Sequence, residues 1–347
     1  MQGFPVKAVV FHEHGGTDKL RYEDRPDPVA KDNEVLVRVK ACALNHLDLW
    51  GRIGLPGVQI PLPHISGSDI CGEVVSTGRL VSKARPGDPV MVSPGLSCGV
   101  CEYCLSGRDS MCRSYKIIGY LVDGGYAELV SVPEVNLIPK PEWLKPEEAA
   151  AIPLVFMTAW HMLVTRAGIA PGETVLILGA GSGVGSAAIQ IAKLWGAYVI
   201  ATAGNHEKLR LAKALGADEV INHSQQELAE EARRMTGRRG VDVVFEHVGS
   251  ATWEKSIKAL GVGGRLVTCG ATTGYAGQTD IRYLYSRQLS ILGSYMASKA
   301  ELLKVVDLVR QRRLKAVVDK VYPLAEAAKA QARMEKREHF GKIVLLP

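Results

Sequence analysis

TVLILGAGSGVGSAAIQIAKLWGAYVIATA, residues 174–203, decides how the rest of the chain is read. Val175 to Leu178 form an unbroken apolar run, as a parallel strand covered on both faces requires, and Gly179, Gly181, Gly183 and Gly185 crowd the turn that follows. Val184, Ala187, Ala188, Ile191, Leu194 and Trp195 then recur at helical spacing. Strand, glycine turn, helix and second strand in this order place backbone N–H groups and a helix N-terminus where a pyrophosphate can be held, with Gly181, Ser182, Gly183 and Val184 as its contacts. The turn is not a literal G-x-G-x-x-G. Aligned from its end, Ala180 and Ser182 stand at the first two glycine positions and Gly185 at the third.

Downstream, strands at 198–203, 219–222, 241–247, 265–269 and 289–293 alternate with helices around 183–195, 206–215, 225–236 and 252–260. That rhythm predicts a doubly wound parallel sheet over residues 153–293. Upstream, short alternating runs such as residues 34–40, punctuated by Pro and Gly, predict a compact β-rich domain over residues 1–152. Beyond the last strand come two amphipathic helices, 299–313 and 324–337, and a closing strand, 341–346; residues 294–347 are expected to return to the first domain.

The chain has 347 residues, 22% charged and 47% hydrophobic, the balance of a globular protein with sizeable cores. Its start, MQGFPVKAVVFHEHGG, lacks the apolar centre of a signal peptide, and no apolar run approaches the ~18 residues that span a bilayer. A cytoplasmic location is expected, with no membrane partner. The net charge of +6 gathers on helices, as in Arg233, Arg234, Arg238 and Arg239, with no aromatic or motif signature beside it, which speaks against nucleic acid.

Cys98, Cys101, Cys104 and Cys112 are spaced C-x2-C-x2-C-x7-C inside a lobe at about 95–113. Four thiolates this close surround one tetrahedral Zn²⁺ and leave no open position, so a structural zinc is predicted. Cys42, Cys71 and Cys269 sit in apolar surroundings and read as small core residues.

A glycine-turn unit, a four-cysteine lobe of this spacing and a preceding β domain together resemble the medium-chain dehydrogenase/reductase superfamily. The resemblance spans the chain. It implies a GroES-like β-rich catalytic domain followed by a Rossmann domain. NHLDLWGRIG, PHISGSD-x-x-G, DGGYAELV, AAAIPLVFMTAW, VDVVFEHVG and FGKIVLL look most like zinc-binding alcohol dehydrogenases and quinone oxidoreductases. The strong catalytic zinc ligands of the former are missing. Asn45, Ser68, Asp69 and Leu154 match their positions, and Leu47 and Trp50 replace the proton relay. An improvised site from His46, Asp48, His64, Asp69 and Cys71 is the alternative. Asn45 and Asp48 in an N-x-x-D arrangement match the zinc-free quinone oxidoreductases.

The end of the second strand, at Ala203, carries no acid to bind ribose hydroxyls, and Asn205, His206, Lys208 and Arg210 follow it. NADP(H) is therefore expected, with NAD(H) as the alternative. The resemblance places Thr158, Val248, Gly270 and Gly293 near the nicotinamide. The expected activity is hydride transfer to a quinone, enone or other activated carbonyl without catalytic zinc, with Asn45, His46, Asp48, Trp50 and Tyr120 around the substrate. An alcohol dehydrogenase is the first alternative and a non-catalytic NADPH-binding protein the second. The resemblance also implies a homodimer or homotetramer joined through 289–293.

Overall fold

The computed structural model describes residues 5–347; residues 1–4, the beginning of the N-terminal stretch read above, lie outside them. The chain divides into two compact units, Met1–Leu154 with Ser298–Pro347, and Val155–Ala297. The sequence boundaries at 152/153 and 293/294 differ by a few residues: the first division falls two residues inside the helix that Pro153 opens, and at the second the loop after Ser290–Gly293 runs on to the helix at Lys299.

The first unit is built on a seven-stranded sheet in the spatial order Leu137–Pro139, Pro89–Val92, Asp69–Thr77, Glu34–Ala43, Lys342–Leu346, Val318–Pro323, with Leu129–Pro133 also pairing on Glu34–Ala43. Val35, Val37 and Val39 alternate inward along the central strand and pack with Ile70, Val74, Val90, Ile343 and Leu345, so one apolar face fixes the register. That register matters for function. Ala43 pairs with Asp69 on one side and with Val344 on the other, which brings the turn after Ala43, the start of Asp69–Thr77 and the start of Lys342–Leu346 to one end of the sheet. A two-stranded ribbon, Gly95–Leu96 against Lys116–Ile117, closes the base of the cysteine lobe.

The second unit has six parallel strands in the order Glu219–Asn222, Tyr198–Ala203, Thr174–Ile177, Val241–Glu246, Leu260–Thr268, Ser290–Gly293. In chain order this is 3-2-1-4-5-6, the doubly wound arrangement that the βα rhythm predicts.

Three elements differ from the sequence reading. The fifth strand starts at Leu260, ahead of 265, because its ladder with Val241–Glu246 continues backward through a register shift despite three glycines. A helix at Ile281–Ser286 and a parallel strand at Val318–Pro323 were not anticipated. Both expose much of their length, so neither carries a clear apolar period. The helical stretch Pro146–Arg166 is long and apolar enough to cross a membrane by length and composition alone; most of it is buried, as in a core helix.

Candidate active site and metal centre

The cysteine lobe is the more local of the candidate sites. The four Sγ atoms lie within 4.8 Å of one another, with Cys98 to Cys104 at 3.9 Å and Cys101 to Cys104 at 3.5 Å. Sulfurs about 2.3 Å from a tetrahedral zinc stand roughly 3.8 Å apart, so the donor set fits that ion. The backbone N–H groups of Val100 and Cys101 point at the Cys98 sulfur and hold its thiol down to about 6, which favours the thiolate that a metal requires. Among the described residues this is the only grouping of three or more His, Cys, Asp or Glu side chains able to hold a metal ion. His46, Asp48, His64, Asp69 and Cys71 do not form the alternative site read from the sequence.

At the end of the first unit's sheet lies a buried polar cluster. Asn45 is extended (φ −132°, ψ 161°) and begins the helix His46–Ile53, which stops at Gly54, where φ is +85°. The Asp48 carboxylate turns back to this start. It accepts hydrogen bonds from the backbone N–H of Asn45 (2.7 Å), the backbone N–H of Gly67 (3.1 Å) and the hydroxyl of Tyr126 (3.0 Å). Complete burial pushes the Asp48 carboxyl up to about 6. These three bonds brace the Asn45 turn.

The side chain of Asn45 belongs to a second set of bonds. Its Nδ2 donates to Asp69 Oδ2 at 2.9 Å and, at a longer 3.4 Å, to the carbonyl of Ala43. Lys342 Nζ donates to Asn45 Oδ1 at 2.6 Å and to Asp69 Oδ2 at 2.9 Å. Asp69 Oδ1 accepts the backbone N–H of Leu154 at 2.8 Å. Lys342 is 3% exposed and Asp69 is fully buried. The matched catalytic zinc positions are thus occupied by an amide, a carboxylate paired to a lysine, a leucine, and Ser68, whose buried hydroxyl has no partner. These residues do not fit a catalytic zinc: the one charged donor is already neutralised by an ammonium.

The remaining expected residues sit along the same helix. His46 and Trp50, both half-buried, meet edge to face at 5.3 Å between ring centroids. Tyr120 is buried and lies against Gly51, whose missing Cβ would stand 3.5 Å from its ring. His64 is buried on the carbonyl of Gly119 at 3.3 Å, and burial lowers its basicity. Cys42 and Cys71 are buried, Cys269 is half-buried, and burial pushes the Cys71 and Cys269 thiols up to about 12, as inert core thiols. The residues that sequence reasoning missed are Lys342 and Tyr126. The available signal for the first was a charge in the otherwise apolar closing strand KIVLL.

In the second unit, Gly179 adopts φ +58°, and a Cβ on Gly185 would lie 2.4 Å from the Gly179 carbonyl, so helix and strand approach as only glycine allows. Ser182 caps the helix Gly183–Leu194, its Oγ accepting from the N–H of Gly185 at 2.9 Å. The first N–H groups of that helix, those of Gly183 and Val184, have no intrahelical acceptor. This cradle suits a pyrophosphate. His247 stands beside it, bonded to the Leu178 carbonyl at 2.9 Å and 3.4 Å from Ser182 Oγ.

Past Ala203, Asn205 spends its Oδ1 on the N–H of Lys208 at 2.9 Å and so caps the helix His206–Ala214, a use the sequence did not show. His223 and Ser224, from the neighbouring loop, lie over Gly204, with 3.2 Å between each and the position of a missing Cβ. Thr158 Oγ1 is buried with no partner, an orphaned group of the kind that a bound cofactor satisfies. Val248 and Gly270 follow the ends of their strands and Gly293 closes the last one; the Gly293 carbonyl accepts from Arg166 Nε at 2.8 Å.

Known proteins resemble this chain along its length. The alcohol dehydrogenase GroES-like domain family matches residues 31–142, and the zinc-binding dehydrogenase family matches residues 183–311. An NAD-dependent alcohol dehydrogenase of Sulfolobus acidocaldarius is 33% identical over 98% of this chain and 99% of its own. A crotonyl-CoA carboxylase/reductase of Cereibacter sphaeroides is 32% identical over 96% of this chain and 84% of its own. The crystal structure of an NAD-dependent alcohol dehydrogenase superposes with a TM-score of 0.95 at 50% identity, covering 98% of this chain and 99% of that one. With both domain families in the expected order and relatives aligned from end to end, the chain belongs to the medium-chain dehydrogenase/reductase superfamily and is a nicotinamide-dependent oxidoreductase.

Proposed function

We propose that the protein is an NADPH-dependent reductase that passes hydride to a quinone, enone or similarly activated carbonyl compound without a catalytic metal. One observation carries this reading: Lys342 Nζ, 2.6 Å from Asn45 Oδ1 and 2.9 Å from Asp69 Oδ2, takes the place in the donor set where a catalytic zinc would need free ligands. An alcohol must lose a proton with its hydride, and zinc makes the alkoxide accessible; a quinone or enone is already electrophilic and needs positioning and a hydrogen-bond donor.

A bound reduced nicotinamide supplies the hydride. Asn45 Nδ2, held on Asp69, is the proposed donor to the acceptor's oxygen, with His46 and Tyr120 as further donors and Trp50 as an apolar wall. Thr158, Val248, Gly270 and Gly293 are proposed to border the nicotinamide, and Gly181 to Val184 the pyrophosphate. Support for NADPH over NADH comes from the end of the second strand, where Ala203 and Gly204 stand in place of an acid, with Asn205, Lys208 and His223 following nearby. The proposal includes one structural zinc per chain at the four cysteines and a cytoplasmic location, where thiols stay reduced. It also includes a homodimer joined along the edge strand Ser290–Gly293, beside which Tyr285 and Tyr295 are exposed.

The test is oxidation of NADPH by quinones and enones with protein dialysed against a chelator. Turnover that survives removal of exchangeable metal is the expected result; its absence with every acceptor overturns the reading. A second reading, oxidation of alcohols, is favoured by the full-length likeness to alcohol dehydrogenases. Two zincs per chain with chelator-sensitive alcohol oxidation would establish it in place of the first.

A further inference from the structure

We propose that Lys342 is a positioning residue: its ammonium fixes the orientation of the Asn45 carboxamide, so that the amide presents an N–H, and never its oxygen, to the reacting compound. This rests on the metal-independent reading above and names the group that stands in for the metal's fixed charge.

A carboxamide has two nearly isosteric ends, and its neighbours decide which is which. Here the neighbours are of opposite sign. Lys342 Nζ demands an acceptor 2.6 Å away and receives Oδ1, while Asp69 Oδ2 demands a donor at 2.9 Å and receives Nδ2. Turning the amide over would set its NH₂ against the ammonium and its oxygen against the carboxylate. Two hydrogen bonds to charged groups would be lost together, which holds the turned form below about one per cent. The remaining N–H of Nδ2 reaches only the Ala43 carbonyl, at a long 3.4 Å, and so is left for an outside acceptor.

The sheet itself delivers the lysine. Ala43 pairs with Val344 in an antiparallel ladder, so continuing that register two residues past Ala43 and two residues before Val344 sets Asn45 opposite Lys342. No rotamer search across a loop is involved. Lys342 and Asp69 also bond each other at 2.9 Å, so the three groups form a closed triangle in which each fixes the other two.

Two variants test the assignment. Lys342→Met removes the ammonium but leaves Asp69 buried without its partner, which endangers folding. The paired variant Lys342→Met with Asp69→Asn removes both charges and keeps the volume, so it folds where the single one fails. In that pair kcat for the reduction of an enone should fall by roughly 10²-fold, the scale of losing one oriented donor, while the NADPH dissociation constant stays within about twofold. Selective ¹⁵N labelling of asparagine supplies a readout independent of turnover. In the natural protein the two side-chain protons of Asn45 should be separate and slow to exchange, and in the variant pair they should exchange at least about tenfold faster. Undiminished kcat, or unchanged Asn45 proton exchange, overturns the proposal. Should the natural protein reduce no acceptor at all, the functional reading fails, and the ¹⁵N exchange alone decides whether Lys342 positions Asn45.

Discussion

The cysteine lobe and the Asn45 cluster are both four-position sites of a zinc-binding dehydrogenase fold, and they have had opposite fates. The lobe keeps all four sulfurs, supplied by Cys98 to Cys112 within one short segment. The cluster has exchanged its soft ligands for Asn45, Ser68, Asp69 and Leu154 and has recruited Lys342 from 273 residues beyond Asp69. A soft, closed donor set has no use except to hold an ion. A hard, charge-balanced set closed by a lysine is proposed to act as a fixed dipole. The two sites therefore respond differently to the same chemical insult, and that difference can be measured.

Removing the metal separates them most sharply. A structural zinc in a small domain carries about 10–16 kcal/mol of folding free energy in peptide systems. Strong chelation, or Cys104→Ser, should open the segment between Gly95 and Ile117 to limited proteolysis while the Asn45 cluster keeps its amide protection; protection lost in both regions would refute their independence. Second in size, Lys342→Met alone should lower stability by about 3–5 kcal/mol in denaturant unfolding, and adding Asp69→Asn should restore most of it.

Asp48 gives a pH test of about 3 kcal/mol, from a folded value near 6 against an ordinary 3.8. The folded state binds the proton more tightly, so this stability is present below pH 4 and is lost as pH rises through about 6. Unfolding midpoints at pH 4.5 and 7 should show about two thirds of that loss, and Asp48→Asn should abolish it.

Gly185→Ala, with its Cβ 2.4 Å from the Gly179 carbonyl, should cost about 1–3 kcal/mol of packing and weaken NADPH binding, read by nicotinamide fluorescence. The smallest effect belongs to Lys208→Ala. It should reduce the preference for NADPH over NADH by about tenfold in kcat/KM, the worth of one charged contact. An unchanged ratio would move the selectivity to His223.

The Rossmann unit was legible because its signals are local: the glycine turn lies inside one stretch, and each strand is a short apolar run between helices. The cysteine lobe was legible for the same reason. The Asn45 cluster was half legible. Asn45 and Asp48 share one helix start, but nothing near them in sequence names Lys342 as their partner, since only the antiparallel register joins residue 43 to residue 344. Asp48 looked like a candidate for substrate because its spacing to Asn45 is visible while the Gly67 and Tyr126 donors that consume it are not. The edge strand Val318–Pro323 was missed for a different cause: half of its faces are wet, so its composition carries no alternation.

The pairing of Glu34–Ala43 with Lys342–Leu346 also sets a timetable for biosynthesis. Asp69 leaves the ribosome 273 residues before Lys342. At about 5–20 residues per second, that interval is roughly 14–55 s. Throughout it, the nascent first unit has a gap in its sheet and a carboxylate that must stay in water, while all of Val155–Ala297 is synthesised and becomes free to close around its own parallel sheet. The nucleotide-binding half is thus available to fold during translation, and the first unit is completed only when its last strand arrives.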